Sequence, residues 1–327
     1  MSGHAIEGYA RGWFAVCFSE ELPAGTTRPL RYFGQDLAAY RGEDGQVRIL
    51  EAHCAHMGAH LAVGGTVVGN KIVCPFHGWC FDGEGHCVEI PYSKKIPPRA
   101  QQKTWRAQDR NGLTWLYFDP SGAAPPFDVP VLPSYGSEDW LPWNTSTYHI
   151  KTHPREIVDN LADRAHFRTV HRTEINEFDF STDGFTATQF AKGTSYLPGG
   201  GTDNFASTTT YHGPGILLMN FDGALKNVML FVHTPVDENN VDLRLLLTLK
   251  IVGSKEKTEG IVKSYMDNLR SGFEDDIRIW EHKIYRDPAM LCEGDGPIGK
   301  LRKWYRQFYG PPQQGGLSRP PSLGTAE

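Results

Sequence analysis

Two blocks of different periodicity predict an α+β protein. From Gly12 to about Asp119 the chain is a series of short β-type runs broken by turn residues, and beyond Glu156 two helical stretches enclose a set of strands. The junction falls at Asp119-Pro120-Ser121-Gly122, where a Pro-rich stretch to Pro133 reads as a linker. This places an all-β domain at residues 8–120 and an α+β domain at 121–309. In the first block, Trp13–Phe18, Leu30–Phe33 and Val47–Leu50 read as strands, with Gly42-Glu43-Asp44-Gly45 as the hairpin signal between the last two. Phe81 to Cys87 reads as a further hairpin, and Leu113–Phe118 as the closing strand. In the second block, Glu156 to about Val170 and Lys263 to Tyr285 read as helices. Ser207–Tyr211, Val228–Val232 and Leu243–Val252 read as strands of an antiparallel sheet under them. Residues 310–327, rich in Pro, Gly, Ser and Gln, are expected to be disordered.

The 33 basic and 38 acidic residues give a net charge of −5, without the block of like charge that nucleic acid binding calls for. No apolar run approaches the roughly 18 residues needed to span a bilayer. The polar opening Met1 to Glu7 does not resemble a signal peptide, so a soluble cytoplasmic protein is expected. Of six cysteines, Cys17, Cys80, Cys87 and Cys292 read as reduced packing residues; a Cys80–Cys87 bridge is the lesser alternative.

The chemistry begins at Cys54-Ala-His56 and Cys74-Pro-Phe-His77. Each pair offers one thiolate and one imidazole, and two Cys on one iron with two His on the other is the ligand set of a Rieske [2Fe–2S] centre. Replacing two thiolates by neutral imidazoles raises the potential to roughly −150 to +300 mV, against about −400 mV for an all-Cys plant-type cluster. Gly58 and Gly78 would let backbone approach the cluster, and Pro75 would stiffen the second loop. A structural zinc site is the weaker reading, because a zinc finger groups two Cys and then two His. A Cys54–Cys74 disulfide would leave both histidines without a purpose.

A second constellation runs from Asn160 through Asp163 and His166 to His171. Asp163 and His166 share a helix face, whereas five residues of ideal helix turn His171 about 140° from His166. Both imidazoles reach one ion only if the helix ends or distorts near Phe167–Val170. Two His and one carboxylate on one face of an iron is the arrangement of non-heme Fe(II) oxygenases. Phe273, Asp276, Ile277, Trp280 and Ile284 share one face of the C-terminal helix, so Asp276 lies in an apolar stripe where a carboxylate needs a partner. Asp276 is therefore assigned as third ligand, with Asp275 as second choice and Glu274 expected to pair with Arg278. Asp163 is read as the carboxylate that accepts the ring N–H of His166 rather than as a ligand; a surface pair with Arg164 or Arg168 is the alternative.

With these residues in order, the chain resembles the oxygenase component of the Rieske non-heme iron oxygenases from about Gly8 to Tyr309. Closer similarity is to the steroid- and sterol-directed branch, 3-ketosteroid 9α-hydroxylase oxygenases and cholesterol 7-desaturases. It is carried by Tyr9–Trp13, Cys74–Trp79, Ile90-Pro91-Tyr92, Asn160–His171, Gly272–Lys283 and Leu301–Tyr309. The resemblance implies a helix-grip catalytic domain with an apolar cavity above the iron. It also implies a homotrimer in which the cluster of one subunit feeds its neighbour's iron, with Asp163 bridging a cluster His and an iron His. Cys80 departs from the pattern, since many relatives place Arg after the Gly-Trp pair.

The expected enzyme is a terminal oxygenase, a monooxygenase or desaturase, that takes O₂ and two electrons to a large hydrophobic, steroid- or sterol-like substrate. No Gly-rich nucleotide fingerprint follows a strand, so a separate NAD(P)H-dependent flavin/Fe–S reductase or a ferredoxin would supply the electrons. They would pass by His56 or His77 and Asp163 to the iron at His166, His171 and Asp276. Tyr211, Ile216, Leu217, Leu218, Met219, Phe221 and Phe231 are candidate substrate-lining residues, although apolar strand residues are more often plain core. The rivals are an oxygenase of an aromatic acid or secondary metabolite, a Rieske electron carrier with an appended domain, and a lipid-binding module that has lost catalysis.

Overall fold

Turn chemistry and hydrophobic alternation divide the first 118 residues into ten short strands. The computed structural model describes residues 8–196, 201–223 and 225–310, so the tail expected to be disordered lies, from residue 311, outside the described residues. The strands are β1 (Gly12–Phe18), β2 (Thr27–Tyr32), β3 (Gln35–Arg41), β4 (Val47–Glu51), β5 (Thr66–Val68), β6 (Lys71–Val73), β7 (Cys80–Phe81), β8 (Cys87–Glu89), β9 (Thr104–Arg110) and β10 (Leu113–Phe118). Six of them form an antiparallel sheet in the order β1-β10-β9-β4-β3-β2, and β5 to β8 form a second sheet of four. The Gly42–Gly45 turn joins β4 to β3, not to the Leu30–Phe33 run, because Phe33-Gly34 already closes a tight hairpin between β2 and β3. Phe33 and Gly34 have φ of 55° and 69°, the pair of positive values that a type I′ turn needs. Phenylalanine is an uncommon residue there, which hides the turn and strand β3 from a reading of composition. The hairpin tip is held from outside: Phe33 N and Gly34 N donate to Pro235 O and Val236 O, both at 2.9 Å.

The second part is a seven-stranded antiparallel sheet in the order β11-β17-β16-β15-β14-β13-β12. Its strands are β11 (Asn144–Ile150), β12 (Thr173–Asp183), β13 (Thr186–Tyr196), β14 (Thr202–His212), β15 (Ile216–Asp222), β16 (Asn227–Pro235) and β17 (Val241–Leu249). Strands β11 and β12 are the two edges, so the connection between them crosses the width of the sheet, and that connection carries both motif histidines. It contains α1 (Pro154–Asp159) and α2 (His166–Thr169) in place of the single helix expected over 156–170. The break has a tertiary cause: Arg164 N donates to Asp295 O at 3.0 Å, and Gly296 approaches so closely that a Cβ there would lie 2.2 Å from Ala162 O.

The long helix α3 (Lys255–His282) begins at Lys255, not Lys263, where the Ser254 side chain accepts from Lys257 N at 3.2 Å. Its buried residues Thr258, Val262, Met266, Phe273, Asp276 and Trp280 form the stripe that packs on the sheet. Ile284 lies past the helix end and is 68% exposed, so it does not extend the stripe. A last helix, α4 (Ile298–Tyr305), places Leu301 and Trp304 with Val158 and Leu161 in one core that also holds Phe14 and Tyr211.

The opposite face of the seven-stranded sheet packs on the first domain. Ile216, Leu230, Val232 and Leu246 meet Trp13, Ala15 and Trp115 there. Buried Arg244 crosses this boundary, donating to Ala15 O at 3.2 Å, Val16 O at 3.1 Å and the Tyr32 hydroxyl at 2.9 Å. None of the described helices is long and apolar enough to cross a membrane.

Candidate active site

The two Cys/His loops share one construction. Gly58 N donates to Cys54 O at 2.9 Å and Gly78 N donates to Cys74 O at 3.0 Å, each glycine in the left-handed region with φ of 75° and 71°. Cys54 and Cys74 are both 3% exposed, free, and packed in one core with Leu61, Ile72 and Phe81. The rings of His56 and His77 stand 4.7 Å apart, and Trp79 stacks on His56 with centroids at 4.5 Å and planes 5° apart. Tyr92 fixes that tryptophan by accepting from Trp79 Nε1 at 2.8 Å. Gln102, buried at 2% exposure, ties the first loop by accepting from Ala55 N and donating to Glu51 O and His53 O. Burial pushes the Cys54 thiol up to about 11, with the adjacent Cys74 sulfur acting in the same direction and the His56 N–H opposing it. Such a thiol keeps its proton in water near neutral pH and releases it to solvent when its sulfur ligates a metal. His56 Nδ1 is buried with no hydrogen-bond partner among the described residues. Paired thiols, facing imidazoles and an unpartnered ring nitrogen fit a cluster ligated by two Cys and two His. Cys80 and Cys87 are also free, and in the strand register Phe81, not Cys80, stands opposite Cys87.

The second constellation converges. One nitrogen of His166, one of His171 and a carboxylate oxygen of Asp276 lie within 4.8 Å of one another. Helix α2 ends at Thr169 and Arg172 takes φ of 51°, and with the chain stopped there the two rings meet with centroids 5.1 Å apart. His166 Nδ1 lies 2.7 Å from Asp163 O; a carbonyl only accepts, so Nδ1 carries the hydrogen and Nε2 is left for a ligand. The main chain of Asp163 thus performs the orienting role expected of its carboxylate. The carboxylate itself is 3.7 Å from the ring and accepts from Ala165 N at 3.0 Å and His166 N at 3.1 Å. Burial works to raise the Asp163 carboxyl, but the neighbouring His166 and the N–H groups of His166 and Ala165 outweigh that and hold it below the usual carboxylate range.

Asp276, at 6% exposure, places Oδ2 3.2 Å from His171 Nε2, while its other oxygen accepts from Asn160 Nδ2 at 3.1 Å. Trp280 Nε1 in turn donates to Asn160 Oδ1 at 3.2 Å, which sets the amide with its donors toward Asp276. Asp275 points outward and pairs with Arg278 at 3.3 Å, displacing the Glu274 pairing expected from i,i+4 spacing. The parts played by Asn160, Trp280, Trp79 and Gln102 were not assigned from sequence, since each acts on a residue distant in the chain or in a separate loop.

The substrate-lining candidates divide between the two sheet faces. Met219, Phe221, Leu217 and Phe231 pack in the core that contains Phe273 of α3. Ile216 and Leu218 instead join the core against the first domain, a correction that follows from strand alternation. Tyr211 is fully buried and its hydroxyl lies 3.1 Å from His233 Nε2, inside the core shared with α4. A cavity of about 730 Å³ lies between the domains at Arg28, Arg31, His149 and Asp242, and one of about 650 Å³ lies beside Leu132, Leu218 and Asn220; neither is lined by the His166/His171/Asp276 group.

Comparison with known proteins agrees with this geometry. Residues 12–105 match the Rieske [2Fe-2S] domain, and residues 116–309 match the 3-ketosteroid 9alpha-hydroxylase C-terminal domain. An oxygenase component of 3-ketosteroid-9-alpha-monooxygenase from Rhodococcus rhodochrous is 35% identical over 318 residues, covering 92% of this chain and 81% of the relative. The chain is a Rieske non-heme iron oxygenase. A cholesterol 7-desaturase from Xenopus laevis is 31% identical to this oxygenase, over 94% of this chain and 74% of its own. The solved structure of dicamba monooxygenase bound to dicamba shares the fold, with a TM-score of 0.75 at 19% identity over 92% of this chain and 98% of its own. The Rieske oxygenase is thus an oxidoreductase of the α+β class, with a [2Fe–2S] cluster and a mononuclear non-heme iron as its cofactors. The Rhodococcus relatives are named as the oxygenase component of their monooxygenase.

Proposed function

We propose that this oxygenase hydroxylates or desaturates a large hydrophobic, steroid- or sterol-like substrate. The convergence of His166, His171 and Asp276 on one point carries the catalytic half of the reading. The steroid half is supported by relatives named as 3-ketosteroid monooxygenases and cholesterol desaturase, and by the apolar sheet face of Met219, Met229 and Phe231 opposite α3. Cys54, His56, Cys74 and His77 would hold the cluster, and His166, His171 and Asp276 the iron, within domains spanning residues 8–120 and 121–309. Bound there, the cluster supplies single electrons and the iron supplies dioxygen activation.

The protein's own residues orient and connect these sites. Asn160 and Trp280 hold Asp276, the Asp163 carbonyl holds His166, and the Asp163 carboxylate is the bridge to a cluster histidine of a neighbouring subunit. A homotrimer is supported by the apolar rim of the cluster loops, where Met57, Phe76 and Tyr92 are 65%, 59% and 62% exposed. The electron partner is a flavin/Fe–S reductase drawing on NAD(P)H, or a ferredoxin, and the reaction is assigned to the cytoplasm.

A single turnover of chemically reduced, iron-replete protein with ¹⁸O₂ and a panel of sterols and 3-ketosteroids tests this. One ¹⁸O in a product establishes a hydroxylase, and loss of two hydrogens without label establishes a desaturase. A panel returned unchanged removes the steroid assignment.

A further inference from the structure

Arg244 on β17 is only 6% exposed, yet it lines the cavity of about 730 Å³ between the domains. Its guanidinium meets neutral oxygens alone. Nη1 donates to Ala15 O at 3.2 Å, and Nη2 donates to Val16 O at 3.1 Å and to the Tyr32 hydroxyl at 2.9 Å. The N–H on Nε and the second N–H on Nη1 have no acceptor among the described residues, and no carboxylate there forms an ion pair with the group. Asp242 stands one hydroxyl away, accepting from Tyr32 at 2.8 Å, and its other oxygen is taken by His149 Nδ1 at 2.6 Å. Buried charges are paired in native proteins, because a desolvated cation without an opposite charge is costly.

The other charges around the cavity are accounted for. Arg28 pairs with Glu21 at 3.0 Å and Arg31 with Asp36 at 2.8 Å, while Lys151 and Glu281 are exposed and left to water. Arg244 is therefore the buried cation that faces this space without an anion. The space has the volume of a small-molecule site and lies at a domain interface, where such sites concentrate. Leu30, Ile150, Val236 and Val241 supply its apolar wall. We propose that this interdomain cavity binds an amphiphilic anion, whose carboxylate or phosphate head pairs with Arg244 and whose apolar body lies along that wall. None of His166, His171 and Asp276 lines the cavity, so the inference does not depend on what the iron acts upon.

The test is isothermal titration of the full-length holoenzyme with decanoate, decyl phosphate and 1-decanol. Wild type should bind at least one of the two anions about tenfold more tightly than the alcohol, and the tighter anion identifies the head group. Arg244→Lys, which retains a cation, should keep most of that preference. Arg244→Met should lose it while decanol binds as before. Val236→Glu places a carboxylate on the cavity wall from a half-buried position and leaves Arg244 intact. It should lose the preference as well, so the test survives even if Arg244→Met does not fold. Equal binding of both anions and decanol to wild type, or no binding of either anion, overturns the proposal. So does an anion preference that persists in Val236→Glu or in a folded Arg244→Met.

Discussion

Asp276 shows how one side chain's role depends on residues far from it in sequence. A buried carboxylate needs compensation, and here it receives an amide donor from Asn160 and a neighbour in His171 Nε2. Replacing Asp276 by Ala should lower the iron content from about three to about two per chain while sulfide and the cluster spectrum are unchanged. Retention of all the iron would mean that another group is the third ligand. Asn160→Ala leaves the three proposed ligands in place but frees the carboxylate. Its expected effect is a roughly 10–100-fold weaker Fe(II) affinity, measured by titration of the iron-stripped protein with its cluster intact.

At the scale of elements, the cluster loops are two copies of one turn with different tolerance. Gly58 and Gly78 both have positive φ, but a Cβ on Gly78 would meet Pro91 Cγ at 2.9 Å, whereas one on Gly58 would meet nothing within 4 Å. Gly58→Ala should therefore cost only the left-handed conformational term, about 1–2 kcal/mol. Gly78→Ala adds a clash with a proline ring that cannot swing aside, and should lower the unfolding midpoint further and perturb the visible circular dichroism of the cluster. Equal midpoints for the two variants would contradict this account. The same spacing logic explains why the helix expected over 156–170 is two: Arg164 N bonds to Asp295 O, a partner that no local periodicity reveals.

For the whole molecule, the two domains are joined through backbone and buried charge rather than through a flexible tether. Arg244 on β17 grips the carbonyls of β1, and the β2–β3 hairpin tip bonds to the end of β16. Buried His233 and half-buried His153 tie stability to pH. Burial holds His233 down to about 3, and burial followed by the Arg155 charge holds His153 down to about 4. Above about pH 6.5 both are neutral folded and unfolded, so neither alters stability. Below it the unfolded chain takes up protons that the folded chain refuses, so stability falls as pH drops from about 6.5 toward 4, by up to about 1.4 kcal/mol per pH unit for each histidine. His233→Gln should flatten that acid slope in urea unfolding; an unchanged slope would show that His233 takes no part in it.

The residue types and spacings alone determined the class of chemistry. Cys54/His56 and Cys74/His77 carry the donor types of a cluster, and the candidate iron ligands His166, His171 and Asp276 lie together in the structure, because ligand type and burial pattern are local properties. The β-rich first block and the α3 stripe were readable for the same reason. Tertiary structure alone decided the rest. It ended α2 so that two histidines five residues apart could meet, and it substituted the Asp163 carbonyl for its carboxylate. It sent Ile216 and Leu218 to the far face of the sheet, and left buried Arg244 among neutral oxygens at the domain boundary. Each of these depends on which distant backbone or side chain arrives as partner, and hydrogen bonds between residues a hundred positions apart leave no period in the sequence.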